Sequence, residues 1–398
     1  MTVMAARGPL ILGGAIAKFG NYRDGSHWRD RVRQVGMRAL TEAQLDLRDV
    51  DALIVGNESA AMCLQINPSP VVAADLGLTH CPSMRVEGGG ASGALALRAG
   101  VLHVLSGLAR RVLVVGFDDA ASRLSNADTR LLHSFSFDTD VEGLAGATAA
   151  TLYALSILGH MQRHGTTEEQ MAAAAVKNRR NACFNPDAHK PMTITVADVM
   201  QSAKVSTPYK LLDCSLLSDG AAAIVLCSPE AAPRSERARA RISGCGCASD
   251  QPRLGDRVRT ERFEAKVAAA RSAYALAGIT DPSTQVDVAE VYDAFSGAEI
   301  QSLEALGLVA EGQGGPAMAA GAFDRDGQLP VNLSGGLMGQ GGSPGAVGIA
   351  QAVTVARLLT ASYHAGAQPN RDLRLGVIDA HGGVGTLCAV HVLERVDP

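Results

Sequence analysis

Residues 83–100 read SMRVEGGGASGALALRAG, and residues 110–119 read RRVLVVGFDD. Val112 to Val115 is an unbroken apolar run closed by Gly116, the pattern of a parallel strand buried on both faces. Ahead of it, the alanine- and leucine-rich run from Ala91 to Leu108 predicts a buried helix, opened by Gly88, Gly89 and Gly90. Glycines there let the backbone turn tightly and approach a ligand, and the first helical turn directs unpaired amides back toward them. Such a turn can hold an oxyanion, a carboxylate or a phosphate. The same glycines equally suit close packing.

A second copy of this arrangement stands near the other end, where Gly341-Gly-Ser-Pro-Gly345 leads into the apolar run Ala346 to Leu359. Two glycine turns opening two apolar helices suggest duplicated α/β units that stack their buried faces. Around them, strands are expected at 10–18, 49–56, 219–227, 286–291 and 387–393, and helices at 28–46, 262–277 and 296–306. From about Ser122 to Leu212 the chain turns polar, with helices predicted at 145–163, 167–179 and 195–203, and reads as an insertion lying over a core. PEAAPRSERARAR, residues 229–241, is the linker expected between the halves.

The 398 residues carry 36 basic and 40 acidic side chains, a net charge of -4, without a long single-sign run, so no electrostatic case exists for nucleic acid binding. No 18-residue apolar run suggests a membrane span, and the apolar N-terminal stretch, interrupted by glycines and Lys18, reads as a first strand. The eight cysteines form no regular framework, which points to a reducing, cytoplasmic setting. Cys245-Gly-Cys247 is too short for common metal-binding spacing, and Gly13-Gly14 is too slight for a dinucleotide fingerprint. Neither a metal nor a redox cofactor is expected.

Three further segments carry polar groups suited to chemistry. Tyr292-Asp293 ends a predicted buried strand, where open α/β sheets place ligand groups. Tyr292 is either a donor or acid-base group, or a core tyrosine with Asp293 as a helix cap. Residues 331–348, VNLSGGLMGQGGSPGAVG, hold too much glycine for an ordinary strand and suggest a close-packed loop beside a site. His381, in Ile378-Asp-Ala-His-Gly-Gly-Val-Gly-Thr386, stands before a glycine turn and is either a site group or a satisfied structural histidine.

With ILGGAIAKFG, KNRRNACFNP, LLDCSLLSDGAAAIVL and AEVYDAF added, these ordered motifs resemble the thiolase superfamily over nearly the whole chain, particularly its sterol-carrier-protein and lipid-transfer-type branch. The resemblance implies an α/β thiolase fold: a duplicated five-layer α-β-α-β-α core with an inserted loop domain. It places an N-terminal half at 1–239, with the loop domain at about 123–212, and a C-terminal half at 240–398. It also implies a CoA thioester as substrate and a homodimeric core.

The resemblance fails at the nucleophile. Gly90 stands where thiolases carry the cysteine that becomes acylated, and glycine has no side chain to acylate. Gly342, followed by Ser343, replaces the histidine of the usual GHP loop, Tyr292 leads the strand-end motif, and His381 occupies the later cysteine position. The pattern resembles steroid side-chain-degrading aldolases of the same branch, which use a tyrosine at the strand end and commonly pair with an OB-like DUF35-domain protein. It implies retro-aldol cleavage of a β-hydroxyacyl-CoA, with Tyr292, His381 and Asp293 as catalytic candidates and the amides of Gly90 and Gly383 binding the thioester oxyanion. Tyr292 would then need His381 or Asp293 to lower its pKa, and Tyr209, Tyr274 or a partner residue would supply the second phenolic or imidazole group that the Gly342-Ser343 segment lacks. The alternatives are a non-catalytic acyl-CoA-binding subunit of a heteromeric complex and an unusual acyltransferase.

Overall fold

A computed structural model describes residues 7–233 and 239–397. Positions 234–238 of the expected linker lie outside the described residues. The first half supplies β1 (Leu10–Ile16), β2 (Ala52–Gly56), β3 (Ser83–Val86) and β4 (Arg111–Asp118); β5 (Lys204–Ser206) and β6 (Tyr209–Lys210) form a separate ribbon, and β7 (Gly220–Cys227) returns to the core. The second half contributes β8 (Arg239–Ser249), β9 (Val288–Glu290), β10 (Leu375–Gly382) and β11 (Leu387–Val396). Their hydrogen-bonded order is β3-β2-β4-β7-β1-β8-β11-β10-β9. The halves join where Leu10 pairs with Arg241 and Ile11 with Ala240.

Residue alternation shows why the strands are apolar throughout. In β4, Val112 and Val114 face one core while Leu113, Val115 and Phe117 face another; in β7, Ile224 and Leu226 oppose Ala223 and Val225 in the same way. A strand with helices on both faces has no solvent side to make polar, and each fully buried Val, Leu or Ile stabilises by roughly 1.5–3 kcal/mol.

The helices complete the layers. α1 (Trp28–Ala43) packs on β1, β4 and β7 of the first half; α2 (Ser92–Leu105) packs on β2 and β4. α3 (Asn126–Ser134), α4 (Ala149–His164) and α5 (Glu168–Ala182) belong to the inserted segment, while α6 (Glu264–Ala277) covers β8 and β11. α7 (Ser296–Ala305) packs on α4 and α5, and α8 (Pro344–Leu359) lies against α2, touching strands β4 and β7 of the first half and β10 of the second. A Cβ on Gly93 would stand 2.7 Å from the Gly345 carbonyl oxygen, and one on Gly348 only 2.4 Å from the Ala94 nitrogen. Glycine lets the two helices cross at backbone distance, which brings both glycine turns to one place.

The KNRRNACFNP segment ties the insertion to the second half. Buried Lys177 pairs with Glu299 at 2.9 Å, Asn181 Nδ2 donates to the Asn332 carbonyl at 3.0 Å, and Asn185 Nδ2 donates to the Ser334 carbonyl at 2.8 Å. Leu152, Tyr153 and Ile157 of α4 share a core with Phe263, Phe295 and Ile300, so α4 delivers side chains toward the second half.

Candidate active site

Gly90 lies in the 3₁₀ turn Gly89–Ala91 that opens into α2, and Gly89 adopts a left-handed φ of 56° that favours glycine. A Cβ at position 90 would meet the Tyr292 hydroxyl at 2.6 Å and the His381 carbonyl oxygen at 2.3 Å. The phenol therefore fills the space that a side chain at 90 would need. Tyr292 follows β9, and its backbone N–H donates to Asp379 Oδ1 at 3.1 Å, which anchors it to β10.

Burial pushes the Tyr292 phenol well above its ordinary pKa, and the charges of Glu58, Asp118 and Asp293 push the same way. The expectation that neighbours would lower this pKa is thereby corrected. Tyr292 keeps its proton and can serve as a hydrogen-bond donor or acid.

His381 sits beside it, ring centroids 4.7 Å apart, at the end of a buried chain of polar groups. Lys266 of α6 forms an ion pair with Asp379 and places Nζ 3.0 Å from His381 Nδ1. An ammonium only donates, so Nδ1 accepts and the ring proton resides on Nε2. Nε2–H then donates to the Tyr153 oxygen at 2.6 Å, and Tyr153 O–H donates to the Gly383 carbonyl at 2.8 Å. This neutral tautomer makes His381 a donor through Nε2, leaving it no free lone pair with which to act as a base.

Burial and the Lys266 ammonium push His381 down to about 4, against the opposing pull of Asp379. An unfolded histidine titrates near 6.5, so the stability from holding this ring neutral is complete above about pH 6.5 and is lost as pH falls to about 4. Buried His391, also pushed down to about 4 by burial, adds a second proton in the same window. His381→Gln is expected to reduce the slope of unfolding free energy against pH by about 1.4 kcal/mol per unit across that window. Urea melts at its two ends measure this, and an unchanged slope would mean that the folded ring is already protonated.

Asp293 faces elsewhere. Its carboxylate accepts from the Leu337 amide at 2.6 Å, the Met338 amide at 3.1 Å and Asn178 Nδ2 at 2.8 Å, and so holds the glycine-rich loop in place. The expectation of acid-base help from Asp293 gives way to this anchoring, because its lone pairs are engaged by the amides, while burial and neighbouring Glu299 push its carboxyl well above the ordinary range. Gly342 is paired along its backbone, its N–H donating to Leu216 at 2.9 Å and its carbonyl accepting from Ser218 at 3.0 Å. Ser343 opens α8 with Oγ 3.5 Å from both Asp118 Oδ2 and the Gly220 carbonyl. Gly383 has a left-handed φ of 60°, and its turn packs against that of Gly90: a Cβ on Gly382 would lie 3.5 Å from the Gly90 nitrogen.

Tyr209 and Tyr274 are held elsewhere by their own contacts. Tyr274 donates to the Leu306 carbonyl at 2.8 Å, and Tyr209 packs against Phe295 at a centroid distance of 4.8 Å. The phenol beside His381 is that of Tyr153. It comes from the inserted segment, whose helical pattern gives no cue to it. Asp379 and Lys266 were more legible, one sharing a strand face with His381 and the other being the lone lysine on an alanine-rich helix. Among the described residues, no helix is long and apolar enough to cross a membrane, and no group of three or more potential ligands could hold a metal ion.

Comparison with known proteins places this geometry in context. The family described as "Thiolase, N-terminal domain" matches residues 10–206, and "Thiolase C-terminal domain-like" matches residues 246–395. An "Acetyl-CoA acetyltransferase" of Methanothermobacter thermautotrophicus is 38% identical over 97% of this chain and 99% of its own. "Sterol carrier protein 2" of Bos taurus is 28% identical over 89% of this chain and 67% of its own. Among solved structures, "Ltp2-ChsH2(DUF35) aldolase" superposes with a TM-score of 0.83 at 24% identity, covering 98% of both chains.

Proposed function

The chain belongs to the thiolase superfamily, in its sterol-carrier and lipid-transfer-type branch, and on that premise we propose that it cleaves a β-hydroxyacyl-CoA by a retro-aldol reaction. The products are a ketone or aldehyde and the shortened acyl-CoA. The observation carrying this reading is the Tyr292 phenol standing in the space a nucleophile at position 90 would need. Acyl transfer requires that nucleophile, whereas retro-aldol cleavage requires a proton donor and a place for the enolate oxygen.

Other thiols offer poor replacements. Burial pushes Cys388, paired across the strands with His381, up to about 12, and Cys214 likewise, so neither holds an appreciable thiolate fraction at neutral pH. The Gly90 and Gly383 amides would bind the thioester oxygen, each contributing roughly 3–4 kcal/mol to the transition state. CoA enters as part of the substrate, and the reaction calls for neither a metal nor a redox group. A bulky tail, such as a steroid carrying a tertiary hydroxyl, is the substrate class proposed. A homodimeric core, as the family resemblance implies, and a DUF35-type partner, by analogy with the structurally similar Ltp2-ChsH2(DUF35) aldolase, complete the reading.

Product analysis tests it. The chain, alone and with a co-purifying DUF35-domain protein, is expected to release a 17-ketosteroid and a shortened acyl-CoA from a β-hydroxyacyl-CoA steroid. Tight binding of intact thioester without cleavage would instead support a non-catalytic subunit, and a thioester-linked enzyme would support acyl transfer.

A further inference from the structure

The residues packed around Gly90 do not include a proton acceptor: Tyr292 keeps its proton, His381 presents Nε2–H, and Asp293 is engaged by amides. A different pair stands at the rim. Glu58 follows the C-terminal end of β2, where parallel sheets present ligand groups, and its backbone N–H donates to Asp118 Oδ1 at 2.9 Å. Its buried carboxylate lies 3.1 and 3.0 Å, by its two oxygens, from Nδ1 of His133 on α3. The His133 side chain is 22% exposed, and no bond from Nε2 to a described residue accompanies that at Nδ1.

Two contacts bring the chain flanking this pair to the glycine turns. The Ser136 amide donates to the His133 carbonyl at 3.2 Å, and Ser136 abuts both glycine turns: its hydroxyl lies 3.1 Å from a Cβ built on Gly89, its carbonyl oxygen 2.7 Å from one on Gly383. From the other side, the end of β2 touches the head of α2, a Cβ on Gly56 standing 3.3 Å from Gly93 Cα. Glu58 is also the charge that acts most strongly on the Tyr292 phenol.

We propose that His133, oriented by Glu58, is the general base of the reaction, its Nε2 taking the proton of the substrate β-hydroxyl. Glu58 accepts Nδ1–H, which fixes the tautomer, exposes the Nε2 lone pair and steadies the imidazolium that forms. This assignment rests on the retro-aldol reading. As the hydroxyl proton moves to Nε2, the O–H pair becomes the carbonyl π bond and the Cα–Cβ bond breaks. Its electrons pass into the enolate of the thioester, held by the Gly90 and Gly383 amides. Tyr292 protonates Cα, and the His133 imidazolium returns its proton to the phenolate, so no external oxidant, reductant or proton is consumed.

The pair also makes a statement about pH. Burial disfavours the His133 cation, but the Glu58 carboxylate, with Asp118 behind it, outweighs burial and raises the pKa above its ordinary value. The titratable groups on which the pair acts are Asp118 of β4, pushed up to about 7 by burial and by Glu58, and Tyr292, while Arg85 of β3 and Cys63 bond Asn57, the residue before Glu58. A base must be neutral to act, so the cleavage rate should fall as pH drops through the raised value.

Steady-state cleavage of a β-hydroxyacyl-CoA steroid by wild type, His133→Gln, His133→Gly and Glu58→Gln tests the assignment, with thioester affinity measured separately by calorimetry. His133→Gln is expected to lower kcat roughly 100-fold or more while leaving affinity within a few-fold, and free imidazole should restore part of the activity of His133→Gly. Glu58→Gln should shift the low-pH limb of the kcat profile downward, a change that a merely structural role would not produce and that tests the pair even if a His133 variant failed to fold. Wild-type cleavage with an unchanged rate and pH limb in these variants would overturn the base assignment and leave retro-aldol chemistry standing. Absence of cleavage by wild type and its complex would overturn both.

Discussion

Tyr292→Phe is expected to lower kcat for β-hydroxyacyl-CoA cleavage by roughly 100- to 10,000-fold, the range set by a positioned proton donor. The benzene ring retains the shape that fills the space above Gly90, so the packing that seats Tyr292 near His381 survives. Only the hydroxyl disappears. Because burial, reinforced by the charge of Glu58, holds the phenol protonated, the lost function is donation, and raising the pH should not rescue the variant. Turnover by product chromatography, beside a thermal melt, checks both halves of this expectation. A rate within three-fold of wild type would remove Tyr292 from the chemistry.

Gly90→Cys should not create an acyl-transfer enzyme. The new Cβ would lie 2.3 Å from the His381 carbonyl oxygen and 2.6 Å from the Tyr292 hydroxyl, and Cβ contacts that close force the surroundings to move. Overpacking of this kind commonly costs about 1–3 kcal/mol. The expected results are a lower unfolding midpoint, loss of cleavage because Tyr292 is displaced, and no acyl adduct in intact-protein mass spectra after incubation with acetyl-CoA. Pairing the change with Tyr292→Ala should recover part of the stability, since the phenol contact is relieved while the carbonyl contact persists. A stable Gly90→Cys protein that accumulates a thioester would show that the site still accommodates acyl transfer.

The two expectations depend on one packing relation that the linear chain does not display. Gly90 and Tyr292 are recognisable separately, one as a missing side chain at the head of α2, the other as a phenol after β9. That the second fills the space of the first requires the crossing of α2 and α8 and the parallel pairing of β9 with β10. Asp293 illustrates the same limit in reverse. Its neighbour Tyr292 points into the site, yet its own carboxylate reaches the amides of Leu337 and Met338. Adjacent residues on an extended backbone project to opposite sides, so sequence proximity was a poor guide to shared function.

What could be read from the residues alone was everything that local pattern and repetition dictate: doubly buried strands such as Val112 to Val115, apolar helices behind two glycine turns, an inserted polar segment, and the absence of a side chain at position 90. These follow from short-range sterics and from the periodicity of burial. The protonation states and partners of the site were settled only by folding. Burial and Lys266, itself held by Asp379, keep His381 neutral, Tyr153 arrives from the insertion to receive its proton-bearing nitrogen, and Glu58 meets His133 across 75 residues of chain. Such properties arise from desolvation and from distances between atoms remote in sequence, and those quantities exist only once the chain is packed.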